Sequence, residues 1–142
     1  MPLGAFISSA EIMSVFMADP PLGHITTFGG HPVSCAAALA NLRILSEGSI
    51  ISDVKAKATL FHELLDKHPA VLEYRSLGLL MALELGSADK MHKVVNYCID
   101  HGVIVDWFLF RETAIRIAPP LIISEEEIRF AAGVIIAALN TL

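Results

Sequence analysis

Val71-Leu72-Glu73-Tyr74-Arg75-Ser76-Leu77-Gly78-Leu79-Leu80-Met81-Ala82-Leu83-Glu84-Leu85 is where the periodicity of this chain changes. Up to Pro69 the apolar residues recur at helical spacing; here β-branched and aromatic residues cluster, and the gap between two apolar runs is short. The pattern predicts strands over 71–75 and 78–85, joined as a hairpin at Ser76-Leu77. Downstream, Ser87 is placed to cap a helix running to His101. Met91, Val94, Val95 and Cys98 share one face of it, and Gly102 stops it. Residues 103–110 and 114–118 read as two more strands around Arg111-Glu112-Thr113. Ser124-Glu125-Glu126-Glu127 then has the capping-box pattern, followed by the stripe Ile128, Ala131, Ile135 and Leu139. The order β-β-α-β-β-α predicts an α+β fold: an antiparallel sheet with helices on one face.

Working toward the N-terminus, Ile51, Val54, Ala58, Phe61 and Leu65 mark a helix over 50–68 that Pro69 ends. Before it, Cys35, Ala38, Leu42 and Leu45 mark a helix over 32–47, opened by Pro32 and stopped by Gly48. Ser9 is suited to cap a short helix reaching Met17. The remainder of 1–31 is loop-like, rich in Gly and Pro, and needs a partner surface. The expected organisation is therefore a remnant over 1–31, connecting helices over 32–68 and a small α+β domain over 69–142.

Composition removes several classes of function. Ten Lys and Arg against fifteen Asp and Glu give a net charge of −5, with no basic stripe to neutralise nucleic-acid phosphates. Although 54% of residues are hydrophobic, no apolar run approaches the roughly 18 residues needed to span a bilayer. The excess implies lost or shared interfaces. Cys35 and Cys98 form no Cys-x-x-Cys pair, and there is no leader pattern, so a cytoplasmic chain with reduced thiols packed as small hydrophobes is expected. The six histidines and two cysteines have no metal-ligand spacing, so no metal is expected.

Chemistry concentrates in Thr26-Thr27-Phe28-Gly29-Gly30-His31-Pro32. Two hydroxyls, two adjacent glycines and a proline opening a helix make a backbone that can approach an anion beside the positive end of a helix dipole. The bland alternative is a simple turn. A second focus is Arg116, flanked in a strand by Ile115 and Ile117 so that its guanidinium leaves the opposite face. Such a fork matches a carboxylate; the alternatives are an edge-strand Arg in water or a structural ion pair. Trp107 and Phe108 read as strand core rather than as a stacking box for a cofactor.

Taken together, Pro2-Leu3-Gly4-Ala5, the Thr26–Pro32 segment and Arg116-Ile117-Ala118-Pro119-Pro120-Leu121 resemble the C-terminal part of a class III pyridoxal-phosphate aminotransferase of the acetylornithine/ornithine type. The resemblance implies the small domain of a fold-type I enzyme. It also implies pyridoxal 5'-phosphate as cofactor, an amino acid and a 2-oxo acid as substrates, and a homodimer. Thr27, assisted by Thr26, would bind the cofactor phosphate of the neighbouring subunit, and Arg116 would pair with a substrate carboxylate. The family's Schiff-base lysine precedes the Pro-Leu-Gly-Ala motif, and here Met1 precedes Pro2. None of Lys55, Lys57, Lys67, Lys90 and Lys93 has a desolvated setting. The expectation is a C-terminal fragment with no catalytic residue of its own, inactive in isolation and, at 142 residues, too short for the two-domain enzyme.

Two positions depart from the family pattern. His31 stands where Asn is usual, its imidazole offered as a substitute donor. Ser76 stands where Arg75-Ser76-Leu77-Gly78-Leu79 resembles Arg-Gly-x-Gly-Leu, at a cost of about 1 kcal/mol if that position needs positive φ. Arg75 is expected at a domain interface, and His24 in a packing or loop-stabilising role rather than in proton transfer. The rival to the enzyme is a non-enzymatic α+β ligand-binding or assembly domain, against which the Pro- and Gly-rich arm before the core counts.

Overall fold

Pro32 lacks the N–H that a first helical residue would leave unpaired, and from it the chain winds into α2, Pro32–Glu47, with Gly48 in extended backbone beyond its end. The computed structural model describes residues 1–21, 23 and 25–142; His24 lies outside the described residues. The chain divides into two compact units, Met1–Gly48 and Ser49–Leu142.

In the first unit the short helix predicted after Ser9 is split into α1, Ala10–Met13, and a 3₁₀ turn, Ser14–Phe16. Ser9 caps it, its hydroxyl accepting from Ile12 N–H at 3.3 Å. Among the described residues of this unit only Ser34 is buried. The stripe on α2 is therefore exposed or half-exposed, Cys35 included, which corrects the expectation that both thiols pack as core.

The second unit holds the apolar core. Helix α3, Ile50–Leu65, buries Phe61 and Leu65 and stops short of the predicted His68 in a turn before Pro69. Strands β1, Glu73–Leu77, β2, Leu80–Glu84, β3, Asp106–Phe108, and β4, Arg111–Ile117, form one antiparallel sheet in the order β1-β2-β4-β3. Between β2 and β3 lies α4, Ala88–Asp100, capped by Ser87 and burying the predicted Met91, Val94, Val95 and Cys98. The closing α5, Glu125–Leu139, has the predicted capping box at Ser124 and Glu127, and buries Ile128, Ala132, Ile135 and Leu139. Register explains the layering. Met81 lies opposite Ile117, and Leu83 opposite Ile115; these side chains join Met91, Ile128 and Ile135 in the core, so the helices cover one face of the sheet.

The turns of both hairpins differ from the sequence reading, each for a local reason. The first hairpin turns at Gly78-Leu79, because Gly78 takes φ +58°, a conformation glycine adopts without steric cost. Ser76 pairs with Met81 inside the ladder and is not a positive-φ residue, so the cost anticipated there does not arise. The second hairpin turns at Leu109-Phe110 rather than at Arg111-Glu112-Thr113. Arg111 opposes Phe108 across it, and a register shift follows between Trp107 and Phe108. Trp107 is 39% exposed at the sheet edge, edge-on to His92 of α4, which corrects its assignment to the strand core.

Candidate functional site

The Thr26–Pro32 segment is built by two consecutive tight turns. Gly29 N–H donates to Thr26 O at 3.3 Å, and His31 N–H donates to Phe28 O at 3.2 Å. A Cβ on Gly29 would meet Thr26 Oγ1 at 2.7 Å, and Gly30 has φ +71°, so both positions call for glycine. Thr26 Oγ1 thus lies against the Gly29 backbone, while Thr27 is exposed. His31 caps α2: its Nδ1 accepts from Val33 N–H at 3.3 Å. The imidazole acts as an acceptor through Nδ1, which leaves Nε2–H as the nitrogen that can donate.

This capping redistributes the anion-binding capacity of the segment. Pro32 has no N–H and that of Val33 is engaged, so the first turn of α2 offers fewer amides than a bare helix start. Among the described residues the donors that the two turns do not use include the Thr27 hydroxyl and the amides of Thr27, Phe28 and Gly30. A hydroxyl and successive amides around a left-handed glycine suit a phosphate oxygen cluster; the residues present fit a phosphate group.

Arg116 belongs to the other unit, and its surroundings follow from register. Across the sheet, Arg75 opposes Ala82, Ala82 opposes Arg116, and Arg116 opposes Asp106. These four side chains share the face turned away from the helices. Strand β4 is interior, so Arg116 is no edge-strand residue. Its Nη2 donates to Asp106 Oδ2 at 2.5 Å, with the two side chains 42% and 48% exposed. Asp106 Oδ1 in turn accepts from Trp107 N–H at 2.8 Å. An ion pair at this exposure is worth about 0.2–1 kcal/mol. The guanidinium therefore already holds a carboxylate, one supplied by the chain. Asp106 carries no sequence signal beyond lying ten residues before Arg116. Arg75 pairs with Glu73 of its own strand.

A second acid on this sheet is of another kind. Glu84 is buried and accepts from Gly86 N–H at 2.9 Å and Arg111 Nε at 2.7 Å. Burial is the largest single influence on its carboxyl and would raise it. The Thr113 hydroxyl, Arg111 and the Gly86 amide together outweigh burial and bring it down to about 2. It is held as a structural anion. Lys57 donates to Leu121 O at 2.7 Å. Among the described residues no group of His, Cys, Asp and Glu is arranged for a metal, and no helix is long and apolar enough to cross a membrane.

This antiparallel sheet with helices on one face, preceded by the turn and long helix of the first unit, is found in known aminotransferases. Residues 1–139 match the family model for class III aminotransferases, and the chain belongs to that family. It is 30% identical over 161 residues to the uncharacterized aminotransferase YhxA of Bacillus subtilis, covering 100% of this chain and 36% of that protein. The crystal structure of a Bacillus anthracis aminotransferase superposes with a TM-score of 0.76 at 31% identity, over 94% of this chain and 34% of that one. The PMP-bound form of an aminotransferase from Vibrio fluvialis gives 0.75 at 26% identity, over 92% and 31%. The chain thus spans about a third of the length of these relatives.

Proposed function

We propose that these residues serve a pyridoxal-phosphate-dependent transaminase of the acetylornithine/ornithine type, moving an amino group between an amino acid and a 2-oxo acid. In this reading residues 1–31 belong to the large cofactor-binding domain, 32–68 connect, and 69–142 form the small domain. The observation that carries the substrate side is Arg116, whose guanidinium holds a carboxylate on a face that no helix of its unit covers.

Thr27, with Thr26 shaping the turn, holds the cofactor phosphate, and as the family resemblance implies it does so across a homodimer interface. Pyridoxal phosphate, when bound, supplies the electron sink for the carbanion formed at the amino-bearing carbon. Arg116 orients the substrate carboxylate, which fixes the direction of the breaking C–H bond and contributes through positioning. The proton-moving amine is not among the five lysines of this chain: Lys57, for one, is committed to a backbone carbonyl. Residues 1–142 alone are therefore inactive.

Two assays test this reading. The isolated chain, given pyridoxal phosphate, ornithine and 2-oxoglutarate, should show no turnover; measurable turnover overturns the assignment of the lysine elsewhere. In a longer protein that joins these residues to such a lysine, Arg116→Ala should raise KM and lower kcat/KM strongly. Unchanged kinetics remove Arg116 from the site.

A further inference from the structure

The Ser49–Leu142 unit carries a second concave surface, on the other side of the sheet from Arg116. Side chains alternate along β1, so Tyr74 and Ser76 leave the face opposite to that of Arg75. Between β1 and α3 lies a groove of about 550 Å³, a size common among small-molecule sites. One wall is apolar, from Ile51, Val54 and Ala58 of α3. Lys55, Thr59 and His62 of the same helix add polar groups, as do Tyr74 and Ser76 of β1. Two of these groups are already engaged. The Thr59 hydroxyl donates to Lys55 O at 3.0 Å. The His62 ring is edge-on to Tyr74, with centroids 4.9 Å apart, and its Nε2 lies 3.7 Å from Asp66 Oδ2. Two others are donors without acceptors. The Lys55 ammonium has no acid or carbonyl partner among the described residues. The Tyr74 hydroxyl is buried and completes no hydrogen bond there; the Ser76 hydroxyl is near enough to influence it without satisfying it. Burial pushes the Tyr74 phenol up to about 12, against the smaller opposite pull of Ser76, so it stays a neutral O–H donor.

We propose that the groove between α3 and β1 binds a small organic acid with an apolar body. The carboxylate takes the Lys55 ammonium and the Tyr74 hydroxyl, and the body covers Ile51, Val54 and Ala58. A bare inorganic anion leaves the apolar wall wet, and an uncharged ligand leaves Lys55 unpaired. The Tyr74 hydroxyl is shielded from water in the free chain, so entry of the acid displaces exposed side chains beside it such as Ser76. The site is separate from Arg116 and does not rest on the reading of that residue.

The probe is phenylacetate, followed by NMR through the backbone amides of the isotope-labelled 142-residue chain. Saturable shifts are expected at Thr59, Ser76 and Gly78, which line the groove. Phenylacetamide and inorganic phosphate should each bind about tenfold more weakly or not at all. Lys55→Met should weaken phenylacetate about fivefold; Lys55 is exposed, so the variant keeps the fold. Tyr74→Phe should weaken binding about two- to fivefold and at the same time raise the Tm of the free chain, since it deletes a buried hydroxyl that lacks an acceptor. A merely structural Tyr74 does not give those opposite signs. Arg116→Ala should leave the groove shifts unchanged. The proposal is overturned by an absence of saturation, by shifts centred on Arg116, by phosphate or the amide binding as tightly as the acid, or by an affinity that either groove substitution leaves unmoved.

Discussion

Arg111 Nε and Glu84 Oε2 lie 2.7 Å apart, tying the end of β2 to the start of β4 where the sheet carries a buried carboxylate. The carboxyl of Glu84, brought down to about 2 from an ordinary 4.5, stabilises the fold above pH 4.5, and this contribution is lost as pH falls through 2. Its full size is at most about 3 kcal/mol. Glu84→Gln should lower stability by about 2 kcal/mol at pH 7, since the Arg111 and Gly86 donors then face a neutral amide. Urea unfolding measured from pH 7 to pH 2 should show the variant and the parent chain converging at the acid end.

The hairpin at Gly78 gives a second expectation. Gly78 combines φ +58° with a site where an added Cβ would meet Val54 Cγ1 at 2.8 Å, so Gly78→Ala should cost about 1–2 kcal/mol. Ser76 lies within the β1–β2 ladder, so Ser76→Gly should bring no gain, and a loss of up to about 1 kcal/mol from strand entropy. Chemical denaturation of the two variants decides both.

Those same turns show where the sequence was legible and where it was not. Helices α4 and α5 could be read because cap, apolar stripe and stop signal agree, as at Ser87, Met91 to Cys98, and Gly102. The sheet and its helical cover followed from the change of period. The turns did not. Arg111-Glu112-Thr113 has turn-like polarity, yet the chain reverses at Leu109 and Phe110, 88% and 100% exposed, against the composition expected of a loop. The Asp106–Arg116 pair was hidden for a related reason: it depends on strand register, which a one-residue slip would invert. The capping role of His31 was not legible either, because it is set by the backbone entering α2.

The two thiols should separate by reactivity. Burial pushes the Cys98 thiol up to about 11, while Cys35 is exposed, and only the thiolate attacks an alkylating agent. Iodoacetamide at pH 8 should modify Cys35 in the folded chain and reach Cys98 only after denaturation. Peptide mass mapping reads the order directly, and early labelling of Cys98 would contradict its place in the core.

The His31 cap is testable by replacement. His31→Ala removes the acceptor for Val33 N–H and should cost α2 about 0.5–2 kcal/mol, whereas His31→Asn should retain the cap. Because Ser34 is the single buried residue of α2, little packing is available to compensate. Circular dichroism should therefore register lost helix in the first variant and not in the second.

The distribution of the core leads to the strongest expectation about the chain as a whole. Every buried hydrophobic among the described residues lies between Phe61 and Leu139, all within the Ser49–Leu142 unit. That unit contains the whole sheet with its helices α3, α4 and α5, so its cooperativity draws on contacts it makes with itself. A chain of residues 49–142 should unfold in one transition with a Tm within a few degrees of the parent's, since the deleted segment contributes no buried apolar side chain. Calorimetry of both chains gives the answer. A broad, uncooperative transition in the shorter chain would mean that residues 1–48 stabilise the sheet in a way its own packing does not account for.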